Sequence, residues 1–162
     1  IPFFTSKDVG LSDEMAALIV TVMTLSSIAG RLGFGWLGDR IPKRYILAAI
    51  FATQAAAILM FARSGGGVWW VLLVVLIFGP SYGGSLPLRA AIQADYFGRR
   101  SLGSLMGIIM GISTLAGMAT PVFAGAVFDA TGSYKGAFLV LGLIAILSVP
   151  MILLARPPSP PK

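Results

Sequence analysis

Gly30-Arg-Leu-Gly-Phe-Gly-Trp-Leu-Gly-Asp-Arg-Ile-Pro-Lys-Arg44 begins inside an apolar run and ends in a burst of positive charge. Residues 15 to 30 before it carry no charge, so Arg31 stands where hydrocarbon is expected. Asp39, Arg40, Pro42, Lys43 and Arg44 then form a short polar turn that cannot lie in lipid. The run upstream, Glu14 to Gly38, reads as a helix of about 37 Å at ~1.5 Å per residue, enough to span a bilayer.

The rest of the composition agrees with that start. Of 162 residues 57% are hydrophobic and only 11% charged, whereas a soluble domain carries about a quarter charged residues to face water. The net charge of +6 would raise nucleic acid as a partner of a soluble protein. Here the cations sit in short clusters between apolar runs without interleaved aromatics, so no nucleic-acid partner is expected. The chain has no cysteine and no histidine. That removes disulfides, thiolate metal sites, Cys or His nucleophile–base pairs and a histidine proton relay. No metal, cofactor or enzymatic activity is expected.

Five spans follow from the apolar runs, giving an all-α, polytopic membrane helical bundle in one membrane domain over residues 1–162. They run from about Glu14 to Gly38, Arg44 to Ala62, Val68 to Asp95, Ser101 to Phe128 and Tyr134 to Leu154. Ser12, followed by Asp13 and Glu14, reads as the N-cap of the first. Trp69 and Trp70 fall at an interfacial level. The third span is interrupted at Gly79-Pro80, Gly83-Gly84 and Pro87, breaks that survive in membranes only where protein or water satisfies the backbone. Gly35 and Gly38 in the first span, and the ladder Gly103, Gly107, Gly111 in the fourth, predict faces where another helix packs closely. Pro157 to Lys162 is a Pro-rich tail.

Charge orients the bundle. One side collects Arg40, Lys43, Arg44, Arg99, Arg100, Arg156 and Lys162, and the other only Lys7, Arg63 and Lys135. The positive-inside rule puts the first set in the cytoplasm. The N-terminus is then outside and the tail inside. The expected location is a bacterial inner membrane. Ile1 is not an initiator methionine, and Ile-Pro-Phe-Phe lacks a basic signal-peptide start, so the chain reads as a piece of a longer one.

Gly35-Trp-Leu-Gly-Asp-Arg-Ile-Pro-Lys-Arg44 resembles the loop signature of the major facilitator superfamily, Gly-x-Leu-x-Asp-Arg followed by a basic run, with Pro42 where the family usually has glycine. Gly30-Arg31, Ala94-Asp-Tyr-Phe-Gly-Arg-Arg100 and Pro121…Gly125…Phe128-Asp-Ala-Thr-Gly-Ser-Tyr134 look like the oxalate/formate antiporter and monocarboxylate transporter branch. The resemblance implies that the five spans are helices eight to twelve of a twelve-helix transporter, an incomplete six-helix half. Its partners would be the missing N-terminal half, the lipid bilayer and a small organic anion held near the midplane between halves.

Arg31 is the principal candidate for that anion. An intramembrane arginine costs at least ~2.5–3.5 kcal/mol and should face a cavity or a partner, and its fork of donors matches a carboxylate. In the resembled branch a basic residue of this helix binds substrate carboxylate. The bland reading is that Arg31 snorkels to the cytoplasmic edge or pairs with an acid. Thr24 and Ser27 share its side of the helix at spacings of three and four, and Tyr82 and Ser85 are further candidate lining. Arg89 shares a face with Tyr82 and Ser85 but lies nearer the edge, where pairing with Asp39 or Asp95 is expected. Gly35, Gly38, Asp39, Arg40, Lys43, Arg44 and Arg89 form the gating and loop-signature set. Asp39 is placed at the N-terminus of the fourth helix, against the bland reading of a solvated loop charge. The fourth helix lacks a cation that dicarboxylate-handling relatives carry, which favours a single-carboxylate substrate. Ser27 stands where proton-coupled relatives have an acid, which argues against proton coupling there. The expected function is alternating-access transport of a small monocarboxylate. A membrane-embedded structural or regulatory module, or a facilitator for an unrelated small solute, is the alternative.

Overall fold

The computed structural model describes residues 12–63, 67–98 and 102–155. These form five helices: α1, Asp13–Gly38; α2, Lys43–Ala62; α3, Gly67–Phe97; α4, Leu102–Thr131; and α5, Lys135–Leu154. All five are long and apolar enough to cross a membrane. The Pro-rich tail and the cations Lys7, Arg99, Arg100, Arg156 and Lys162 lie outside the described residues.

Local chemistry sets the helix ends. Ser12 caps α1 from an extended conformation, its Oγ accepting from the Met15 N–H at 3.4 Å, with Asp13 and Glu14 beside the unpaired N–H groups of the first turn. After Gly38 the Arg40 and Ile41 N–H groups both donate to the Leu37 carbonyl at 3.0 Å. Pro42, with φ −52°, precedes the first residue of α2, where a proline loses nothing because that N–H has no helical partner. α4 runs one turn beyond the expected Phe128 and stops at Gly132, whose φ of +71° suits glycine alone. The Gly132 N–H closes that end on the Phe128 carbonyl at 2.7 Å.

α3 departs from the expected interruptions. It is one unbroken helix through Pro80 and Pro87. Each proline removes one backbone donor, yet Ser81 and Ser85 donate through Oγ to the Ile77 and Tyr82 carbonyls, at 3.0 and 2.8 Å, which adds bonds within the same turns. Tight packing against α1 holds the helix through the weak points.

α1 packs chiefly on α3, and α2 packs on α5 and α3. Two apolar clusters fill the bundle. Toward one end Ile19, Ala57, Phe61, Val71, Val74 and Val75 pack together with Phe138 against them. Toward the other, Ile46, Leu47, Ile50, Leu88 and Ile92 meet Ile152 and Tyr96. Polar tips tie these ends down: Trp70 Nε1 donates to the Met60 carbonyl at 3.2 Å and the Tyr96 hydroxyl to the Ala155 carbonyl at 3.0 Å. Lipid is as apolar as these side chains, so close contact and such hydrogen bonds hold the helices together, rather than escape from water.

α4 stands apart. It touches only α3 and α5, and only over short stretches. The expected close-packing ladder is not used as such: a Cβ added to Gly103, Gly107 or Gly111 would meet nothing within 4 Å. The small residues open a face, but no described helix lies against it.

Candidate transport site

The close approach lies where α1 crosses α3, at glycines other than the expected ones. Gly30 faces the Pro80 backbone, Gly79 faces Ser26 and the Met23 carbonyl, and Gly83 faces the Ser27 backbone. No Cβ fits at any of the three. Gly35, expected at a close contact, is in open space, and Gly38 meets the Leu88 side chain rather than a backbone. The reason is rotational: Gly30 and Ser27 point into α3, whereas Gly35 has turned away from it.

This crossing corrects part of the expected lining. Ser27 is only 6% exposed and Ser85 1%. Their hydroxyls donate to the Thr24 and Tyr82 carbonyls at 2.7 and 2.8 Å. Both serve the packed α1–α3 seam, and neither is open to a solute in this structure. Small hydroxylic side chains bond back to the preceding turn when a neighbouring backbone leaves no room outward.

Arg31, Thr24 and Tyr82 are exposed on the flanks of the same seam. Thr24 Oγ1 donates to the Val20 carbonyl at 2.9 Å, leaving its lone pairs free. Tyr82 stacks on Phe78 with ring centroids 6.0 Å apart and is half-exposed, with its hydroxyl within electrostatic reach of Arg89. Arg31 makes no ion pair or hydrogen bond among them. The guanidinium therefore offers a complete fork of donors to an outside acceptor.

The loop signature is occupied differently from expectation. Arg40 lies over the Trp36 ring at 3.9 Å, and Arg44 over Tyr45 at 4.6 Å, also donating to the Tyr45 hydroxyl. Lys43 pairs with Asp95 at 2.8 Å, joining the start of α2 to the end of α3. Arg89, expected to pair with Asp39 or Asp95, instead sits 5.1 Å from the Phe51 ring centroid. Lys43 reaches Asp95 first because it starts a helix that runs alongside α3. Asp39 forms no ion pair among the described residues, and α1 makes no contact with α4, so Asp39 is not brought to the start of α4. The Lys43–Asp95 pair is partly open to solvent, 28% and 52% exposed, and such pairs contribute little. Asp95→Asn should cost less than about 1 kcal/mol, read as a small fall in the melting temperature of the detergent-solubilised protein.

One group of polar residues was not foreseen. Gln93, Ser113 and Thr114 share a cleft with Arg89 between α3 and α4. The only sequence signal was the i, i+4 spacing of Arg89 and Gln93, and nothing in the sequence placed α4 opposite. Among the described residues no three His, Cys, Asp or Glu side chains come together as a metal would require.

Comparison with known proteins identifies the family. The Major Facilitator Superfamily profile matches residues 1–162, the whole chain. The chain belongs to that superfamily. Similar superfamily members include Monocarboxylate transporter 12 of Xenopus laevis, 27% identical over 154 residues, covering 93% of this chain and 34% of that protein. Monocarboxylate transporter 12 of Homo sapiens is 27% identical over 162 residues, covering 96% of this chain and 30% of that protein. Monocarboxylate transporter 13 of Bos taurus is 23% identical over 137 residues, covering 84% and 32%. The chain thus spans about a third of the length of these relatives. It is an integral membrane protein of that superfamily.

Proposed function

We propose that this chain is part of the C-terminal bundle of a facilitator that moves a small monocarboxylate by alternating access. The observation that carries the reading is Arg31, an arginine inside a membrane span with no acid beside it among the described residues. A charge in that position is costly unless it meets a partner, and a guanidinium fork fits a carboxylate. The names of the similar proteins, monocarboxylate transporters, point to the same ligand class. Thr24 and Tyr82 complete the open lining, and Ser27 and Ser85 serve by letting α1 and α3 meet.

The remaining wall belongs to the other half of the transporter. The bare faces of α1 and α4 support such a neighbour. Asp39 and Arg40 act at the inner gate, with the signature turn on the cytoplasmic side as the clustered cations require. The similar proteins reported above are from vertebrates. They give a bacterial inner membrane no support, and the proposal keeps a cell membrane with this orientation.

Uptake by the full-length protein in proteoliposomes tests the ligand class. Labelled propionate should accumulate, while malonate and the neutral propionamide should enter at least tenfold more slowly, as expected when an unpaired second charge or a missing charge costs about 1.4 kcal/mol or more. Equal uptake of propionamide would overturn the carboxylate reading.

A further inference from the structure

The cleft between α3 and α4 has a volume of about 520 Å³. Arg89 and Gln93 come from α3, and Ser113 and Thr114 from α4. Its other walls are apolar, with Leu86 and Met110 facing across it, and no acid lines it. Arg89 has no carboxylate partner among the described residues, because Asp95 is held by Lys43. Gln93, Ser113 and Thr114 also make no side-chain hydrogen bond there. The two hydroxyls differ in this from Thr21, Thr24, Ser26, Ser27, Thr53 and Thr120, which all donate back to a carbonyl of their own helix.

Arg89, Ser113 and Thr114 are exposed on this cleft and Gln93 is half-buried, and apart from the contact of Arg89 with the Phe51 ring their polar ends face the open space. Within a membrane span such groups carry a cost unless something hydrogen-bonds them. The set has a sign. Arg89 supplies a fixed positive fork, while an amide and two hydroxyls supply neutral donors. A carboxylate satisfies all of them, and a short hydrocarbon body suits the leucine and methionine walls. A cation meets only repulsion.

We propose that this cleft is a second carboxylate site, with Arg89 pairing the anion and Gln93, Ser113 and Thr114 hydrogen-bonding it. It depends on the transport reading for ligand class alone: the cleft is lined by other residues than Arg31, Thr24 and Tyr82, although Tyr82 lies within electrostatic reach of Arg89. Arg89 is six residues before Asp95, roughly 9 Å along α3. The site therefore opens toward the signature-turn side, and a solute leaving Arg31 for the cytoplasm would be held there next.

The test is site-directed protection in the full-length protein with any cysteines elsewhere replaced. Ile109→Cys places a reporter on the cleft wall without removing a polar group. Maleimide labelling should slow by a factor of 1 + [L]/Kd as propionate is added, about tenfold at ten times Kd, and propionamide should not slow it. Protection should disappear in Arg89→Gln, fall partly in Arg89→Lys, and persist in Arg31→Ala, whose uptake is lost. If Arg89→Gln does not accumulate, Gln93→Ala is measured in its place and should weaken protection. Absence of protection with uptake intact overturns the second site and leaves the transport reading standing. Protection that disappears in Arg31→Ala overturns it in favour of one shared site. Protection by phosphatidylglycerol vesicles and not by propionate overturns it in favour of a lipid headgroup.

Discussion

Arg31→Ala is expected to reduce propionate uptake by the full-length protein to background, with little change in melting temperature. Removing one partner of a desolvated charge pair costs about 2–5 kcal/mol, which is roughly thirtyfold to several thousandfold in kcat/KM at 1.36 kcal/mol per decade. The fold should be spared because Arg31 is exposed on α1 and joins no ion pair among the described residues. Arg31→Lys should restore part of the activity, since an ammonium supplies the charge but not the planar fork. The split between transport and stability is the deciding measurement. An arginine that only snorkels to the membrane edge would leave uptake near wild type in all three proteins.

Gly83→Ala is expected to destabilise the α1–α3 crossing strongly. The new Cβ would run into the Ser27 backbone, and backbone cannot move aside as a flexible side chain can. Overpacking costs about 1–3 kcal/mol, here at the upper end because backbone is met, a large share of a stability of about 5–15 kcal/mol. It should appear as a melting temperature lower by about 5–10 °C in detergent. Gly35→Ala is the matched control, because a Cβ there meets nothing within 4 Å. It should leave the melting temperature unchanged or slightly raised, as alanine favours a helix over glycine by about 1 kcal/mol. Equal losses at both positions would sink the assignment of the α1–α3 crossing to Gly83.

Arg31 and Gly83 belong to the two sides of one seam, Gly83 meeting the Ser27 backbone one turn before Arg31, and the two substitutions separate its jobs. Gly30 lets α1 approach Pro80, and Arg31, the next residue, is carried outward on the exposed flank. Ser27 and Thr24 divide in the same way, one buried and bonded inward, the other on the open side. A helical stripe at spacings of three and four is broad enough to include both a contact edge and a free edge.

The sequence by itself determined the class and the five apolar helices. Apolar runs long enough to span, caps such as Ser12, and turns at Asp39–Pro42 and Gly132 are local signals, since they depend on hydropathy and on backbone preferences within a few residues. The intramembrane Arg31 was legible for the same reason: a charge in an apolar run needs no partner to be noticed. Only the tertiary structure decided which helices touch. It put Gly30, Gly79 and Gly83 at the crossing instead of Gly35 or the Gly103 ladder, gave Asp95 to Lys43 instead of Arg89, and turned Ser27 and Ser85 into the seam. It also brought Gln93 opposite Ser113 and Thr114, residues about twenty apart in the chain. In lipid almost every helix face is apolar, so the pattern along a helix carries little record of its neighbour. Rotation and pairing are set by small residues and polar contacts, and those become readable only when the helices are seen together.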